Sequence, residues 1–145
     1  MYKFSDILKD LIEEEGKSLR EIARLSGVSA TQYGKYLKGA NPTINVAEKI
    51  VKYFDCSFDY LFGLSEEKSN KTFHKVNMEG FVDKYLHLLK QNQTTNWKFS
   101  KQFNLSESNL RHWEYGNLPK IETLVVIARE LNSSIDYLVG RDNNF

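Results

Sequence analysis

Ser57-Phe58-Asp59-Tyr60-Leu61-Phe62-Gly63 and Ser134-Ile135-Asp136-Tyr137-Leu138-Val139-Gly140 are two versions of one pattern, 77 residues apart. Working outward from them, residues 4–63 fall on residues 81–140 without a gap. Thirteen of the 60 pairs are identical, among them Gly39 with Gly116, Pro42 with Pro119, and Phe4 with Phe81. The identities sit at turns and apolar positions, where a fold is specified. A period this long predicts tandem domains and not a solenoid, whose repeats are shorter.

Each copy reads as a run of short helices. Phe4, Ile7, Leu8, Leu11 and Ile12 recur at the spacing of an amphipathic helix, which Gly16 should end. Ser18 with Glu21 has the form of a capping box opening a second helix, stopped at Ser26-Gly27-Val28. Ser29 caps a third helix, Ala30–Lys38, broken by Gly39-Ala40-Asn41-Pro42. Ile44, Ala47, Ile50, Val51 and Phe54 form a fourth apolar stripe, and residues 57–62 a short fifth helix. The second copy repeats these at Phe81–Lys90, Asn96–Phe103, Glu107–Tyr115, Ile121–Leu131 and Ser134–Val139. The expected class is therefore all-α: two five-helix domains, 1–63 and 81–140, joined by a polar linker, 64–80, and followed by a short polar tail, 141–145.

Domains of about 60 residues lie near the lower limit for folding without disulfides or metal. Cys56 is the sole cysteine, so an internal disulfide and a cysteine-based zinc site are both excluded. Its expected role is that of a small buried side chain. No stretch approaches the roughly 20 apolar residues of a membrane span, and the N-terminus lacks the apolar core of a signal peptide. The expectation is a cytoplasmic protein without membrane contact. No Gly-rich phosphate loop, metal-ligand spacing or nucleophile motif is evident, so we expect no enzyme, no cofactor, no metal and no small-molecule ligand. Asp59 and Asp136 are one helix-end position seen twice, with capping and local hydrogen bonding as their expected role.

Ala23-x-x-x-Gly27-Val28-Ser29-x-x-x-Tyr33-x-x-Tyr36-x-x-Gly39 has the spacing of a helix-turn-helix. Ala23 is small where two helices cross, Gly27 permits the sharp turn, and Val28 and Tyr33 pin the second helix to the core. With the closing pattern at 57–63 and 134–140 and with Trp113-Glu114-x-Gly116, the sequence resembles the Cro and phage-repressor type of helix-turn-helix, the XRE family. The resemblance extends over about 120 residues and implies lambda-repressor-like domains that bind operator double-stranded DNA, usually in pairs, so a homodimer is a natural further expectation. The sequence departs from the pattern where Leu37 replaces a Glu, where Gly34 interrupts the third helix, and where Ser100 and Asn104 replace the Ala and Gly of the second turn. Asn accepts positive φ, so that turn should survive.

The resemblance implies base contact by Ala30, Thr31, Gly34 and Lys35 in the first copy and by Glu107, Ser108, Arg111 and His112 in the second. Lys35 and Arg111 suit guanine, Thr31 the thymine methyl, and Glu107 the cytosine amine. Helix N-termini and basic or amide side chains near the motif are the expected phosphate contacts. These are Lys17, Ser18, Arg20, Lys38 and Asn41, then Thr95, Asn96, Lys98, Asn117 and Lys120. Residues 17–38 hold five bases and one acid, a local +4, whereas residues 94–115 hold three bases and two acids, a local +1. The formal net charge of +1 conceals this difference.

The function so implied is that of a transcriptional regulator, with repression the favoured direction. Fully extended, the 17 residues 64–80 reach at most about 55–60 Å, enough for half-sites about 34 Å apart. The two recognition helices differ, so the expected target is asymmetric. The rival reading is a module in which one or both copies serve dimerisation or protein interaction, including an antitoxin-like role. In that reading Phe58 and Phe62, with Ile135 and Val139, are candidates for an exposed apolar patch.

Overall fold

A computed structural model of the chain describes residues 3–68 and 71–143, and it divides into two compact units, 1–72 and 73–145. Every regular element among the described residues is an α-helix. The first unit contains α1 (Phe4–Glu15), α2 (Leu19–Ser26), α3 (Ala30–Leu37), α4 (Ile44–Phe54) and α5 (Phe58–Leu61). The second contains α6 (Phe81–Gln91), α7 (Asn96–Gln102), α8 (Asn109–Glu114), α9 (Ile121–Glu130) and α10 (Ile135–Leu138).

In the first unit, α1 packs on α3 and α5, and α2 packs on α3 and α4. The stripes predicted from spacing are the faces that become buried: Leu8, Leu11, Ile22, Ala47, Ile50 and Val51 are all at most 1% exposed. Gly16 ends α1 with a left-handed φ of 69°. The Ser18 hydroxyl accepts from the Glu21 amide at 3.2 Å, but the Glu21 carboxylate turns to Arg24 at 2.6 Å. Ser18 is thus half of the predicted capping box. A complete box stands at Ser29, whose hydroxyl accepts from the Gln32 amide while its own amide donates to Gln32 Oε1.

Several positions 77 residues on make matching contacts in the second unit. Phe4 meets Tyr36 at 6.0 Å between ring centroids, and Phe81 meets Trp113, 77 residues on in each case, at 5.1 Å. The carbonyl of Asp59 accepts from the amides of Leu64 and Ser65 at 2.7 and 3.1 Å. That of Asp136 accepts from Arg141 and Asp142 at 2.8 and 3.1 Å. The helix ends are capped by the neighbouring hydroxyls, Ser57 to the Tyr60 amide and Ser134 to the Tyr137 amide. Each such cap contributes about 1 kcal/mol.

The side chains then diverge. The Asp136 carboxylate is 2.7 Å from the Arg141 guanidinium, with both side chains at most 5% exposed. Arg141 also lies 4.5 Å from the centre of the Phe73 ring. His74 donates its amide to the Arg141 carbonyl and Asn77 its amide to the Val139 carbonyl, at 2.9 and 2.8 Å. Residues 73–77, read as linker, therefore lie along the closing turn of the second unit, and residue 141, read as the start of a polar tail, is part of its interior. On the first unit, Lys68 accepts a hydrogen bond from the Ser57 amide. Residues 69, 70, 144 and 145, within the predicted linker and tail, lie outside the described residues.

Where the first copy has buried Ile7, the second has Lys84, whose ammonium donates to the Tyr137 carbonyl at 2.7 Å and lies over the Tyr137 ring. Burial holds this ammonium below the ordinary lysine range. Tyr85, 1% exposed, donates to Asn96 Oδ1 at 2.8 Å, and burial pushes its phenol up to about 12 from the usual 10. The folded unit thus holds this proton more tightly than the unfolded chain does. The stabilisation is complete below pH 10 and is lost as pH rises from 10 to about 12. About 2–3 kcal/mol should disappear over that interval. Denaturant titrations followed by tryptophan fluorescence should show it, and Tyr85→Phe should remove this component of the pH dependence.

Candidate nucleic-acid interface

The turn between α2 and α3 is held by Gly27 at φ 78° and by Ser26, whose hydroxyl accepts from the Tyr33 phenol at 2.7 Å and from the Val28 amide at 3.4 Å. Val28 and Tyr33 are 1% and 0% exposed, so the second helix is fastened at its start and middle. With Tyr33 and Tyr36 inward, Ala30, Thr31 and Lys35 are exposed on the outer face of α3, and Gly34 is half-buried.

Lys17, Ser18, Arg20, Lys38 and Asn41 are also exposed. They do not all present an unengaged group. Lys17 lies 3.5 Å from Glu15, and the Ser18 hydroxyl is used as a cap. Arg24 is paired with Glu21, whose carboxyl that guanidinium holds below its ordinary range. Among the described residues Arg20, Lys35 and Lys38 make no ion pair.

The corresponding face of the second unit is built differently. The predicted helix Glu107–Tyr115 begins at Asn109 and ends at Glu114. Asn109 stands where the first copy has Gln32, one carbon shorter, and no capping box forms. The Ser106 and Ser108 hydroxyls instead bond each other at 2.7 Å, and residues 107 and 108 form a turn. Glu107, Ser108, Arg111 and His112 are nevertheless all exposed. Asn104 makes the preceding turn at φ 56°, as expected for a residue in the place of a glycine.

Thr95, Lys98, Asn117 and Lys120 are exposed, and the Thr95 hydroxyl caps α7. The Asn96 amide is committed internally: it accepts from Tyr85 and Ser100 and donates to the Glu107 carbonyl. Spacing alone did not signal this, because the tie depends on a tyrosine from a different helix. Spacing also passed over Trp97, which is 51% exposed with the Lys101 ammonium 4.6 Å from its ring centre.

The candidate patch of the rival reading is not at the surface. Phe58, Phe62, Ile135 and Val139 are all at most 7% exposed, because the short helices α5 and α10 turn these groups under α1 and α4, and under α6 and α9. Among the described residues no cluster of His, Cys, Asp and Glu could hold a metal ion, and no helix is long and apolar enough to cross a membrane.

Residues 8–61 match a helix-turn-helix family. The match supports, for the first unit, the resemblance drawn from Gly27, Val28, Tyr33 and the closing pattern as far as residue 61, and it spans α2, the turn and α3 whole. The second unit lies outside the matched residues. No curated protein and no solved structure matches the chain. The helix-turn-helix of the first unit thus carries the exposed basic face, and its second helix, α3, presents Thr31 and Lys35 away from the core.

Proposed function

We propose that the chain is a sequence-specific double-stranded DNA-binding transcriptional regulator, most readily a repressor, whose first unit inserts α3 into the major groove. The observation that carries this reading is the two-sidedness of α3. Tyr33 and Tyr36 are 0% and 7% exposed on one side, while Ala30, Thr31 and Lys35 are exposed on the other. Arg20, Lys35 and Lys38 supply positive charge beside it, as contact with phosphate oxygens requires. In the second unit, proposed as a second copy of the same domain, α8 carries Arg111 and His112. Glu107 and Glu114 make its surroundings less favourable to a polyanion. A homodimer is compatible with this reading, and a cytoplasmic location follows from it.

The test is selection of binding sites from a random duplex pool by the full chain near physiological salt. An enriched site holding two different half-sites supports reading by both units, and a single short motif supports reading by one. No enrichment by a folded chain overturns the proposal. On the enriched site, Lys35→Ala should weaken binding by about 1–3 kcal/mol, and Arg111→Ala by the same amount if the second unit reads bases. Affinity should fall steeply with added salt as counterions are released. Unchanged affinity in both variants would place the reading face elsewhere.

A further inference from the structure

An open groove of about 580 Å³ lies in the second unit between the start of α6 and the loop that follows α8. Met78, Val82, Trp113 and Leu118 supply apolar walls, and the charged residues lining it are both acidic, Glu79 and Glu114. Neither carboxylate is in an ion pair among the described residues. Leu118 is 48% exposed, and Tyr115, in the same loop region, is 82% exposed. An apolar side chain docked here would cover Leu118, and a cation beside it would meet the unpaired acids. A phosphate backbone is the wrong partner for the groove, since the carboxylates would repel a polyanion.

The lining of the groove differs between the two copies. At the matching positions of the first copy, Glu114 corresponds to Leu37, Leu118 to Asn41 and Val82 to Ser5. At this place the second copy has two acids and the apolar Val82 and Leu118, whereas the matching positions of the first copy carry no charged residue.

We propose that this groove docks a protein segment presenting an apolar side chain flanked by lysine or arginine. The apolar group would enter between Leu118 and Trp113, and the flanking cations would meet Glu79 and Glu114. Charge complementarity sets this choice: an acidic or phosphorylated segment would face two unpaired carboxylates. The proposal is independent of DNA reading by the first unit, and each can fail alone.

The test pans the full chain against phage-displayed random peptides of about twelve residues near physiological salt. Enriched peptides should share an apolar residue beside Lys or Arg. A synthetic copy of one should change the Trp113 fluorescence of a Trp97→Phe chain, since Trp97 and Trp113 are the chain's two tryptophans. Glu79→Lys with Glu114→Lys should weaken its binding by about tenfold or more, and Leu118→Asp should do likewise. Circular dichroism checks that these exposed substitutions leave the fold intact, and selection of duplex DNA by the unsubstituted chain tests the proposed function separately. Four results would overturn the proposal. They are no enrichment, a consensus without cations, binding indifferent to the substitutions, or a concentration-dependent dimer that Leu118→Asp disperses, which would mean that a second copy fills the groove.

Discussion

Arg141→Ala is expected to destabilise the second unit by about 3–5 kcal/mol, because it removes the guanidinium 2.7 Å from a buried carboxylate. Asp136 is 1% exposed and its partner 5%, so neither charge can fall back on water when the other is removed. The loss also frees the Phe73 ring that lies against the guanidinium. Domains are stable by only about 5–15 kcal/mol, and one of this size lies near the bottom of that range, so a measurable fraction of the second unit should be unfolded at room temperature. Guanidinium titration followed by tryptophan fluorescence measures the change. Asp136→Leu together with Arg141→Met should recover a large part of the loss, since an apolar pair of similar volume needs no compensation. A single substitution costing less than about 1 kcal/mol would mean that water reaches the pair.

Gly140→Ala should cost about 2–4 kcal/mol through two additive causes. The residue sits at φ 80°, where an L side chain is strained. A β-carbon there would also run into the Asn77 carbonyl and displace the segment bonded to Val139 and Arg141. Gly16→Ala is the control: its φ is 69°, and an added β-carbon meets nothing within 4 Å, so only the conformational cost of about 1–2 kcal/mol remains. Hydrogen exchange separates the two. The amides of His74 and Asn77 should lose protection in Gly140→Ala, and equal costs for the two alanines would show that residues 73–77 yield freely.

Apolar spacing and caps made most of the helical layout legible. Leu8, Ile22, Ile50 and their counterparts recur at intervals set by the helix itself, and Ser29, Ser57 and Ser134 act on amides three residues away. Local rules suffice for such features. The Asp136–Arg141 pair was not legible, because the first copy keeps the aspartate but has Leu64 where the second has Arg141, and a repeat directs attention to what is shared. The use of Asn96 to satisfy Tyr85 joins two helices, and no local pattern announces it. Phe58 and Phe62 were misjudged because four-residue helices have too few turns to show which side is buried. For the candidate interface, the outward position of Thr31 and Lys35 could be reasoned from Tyr33 and Tyr36. The shortened α8 goes with a Ser106–Ser108 hydroxyl bond in place of a capping box, which spacing does not announce. The groove beside Leu118 arises from residues some forty positions apart.

Cys56 is 1% exposed in the first unit, while both tryptophans belong to the second. A thiol reagent can therefore modify the chain only as fast as the first unit opens, and the resulting rate is an internal clock for that unit alone. Fluorescence keeps separate time for the other. The chain thus carries one gauge in each half, so the opening and the ligand response of each can be followed in one uncut molecule.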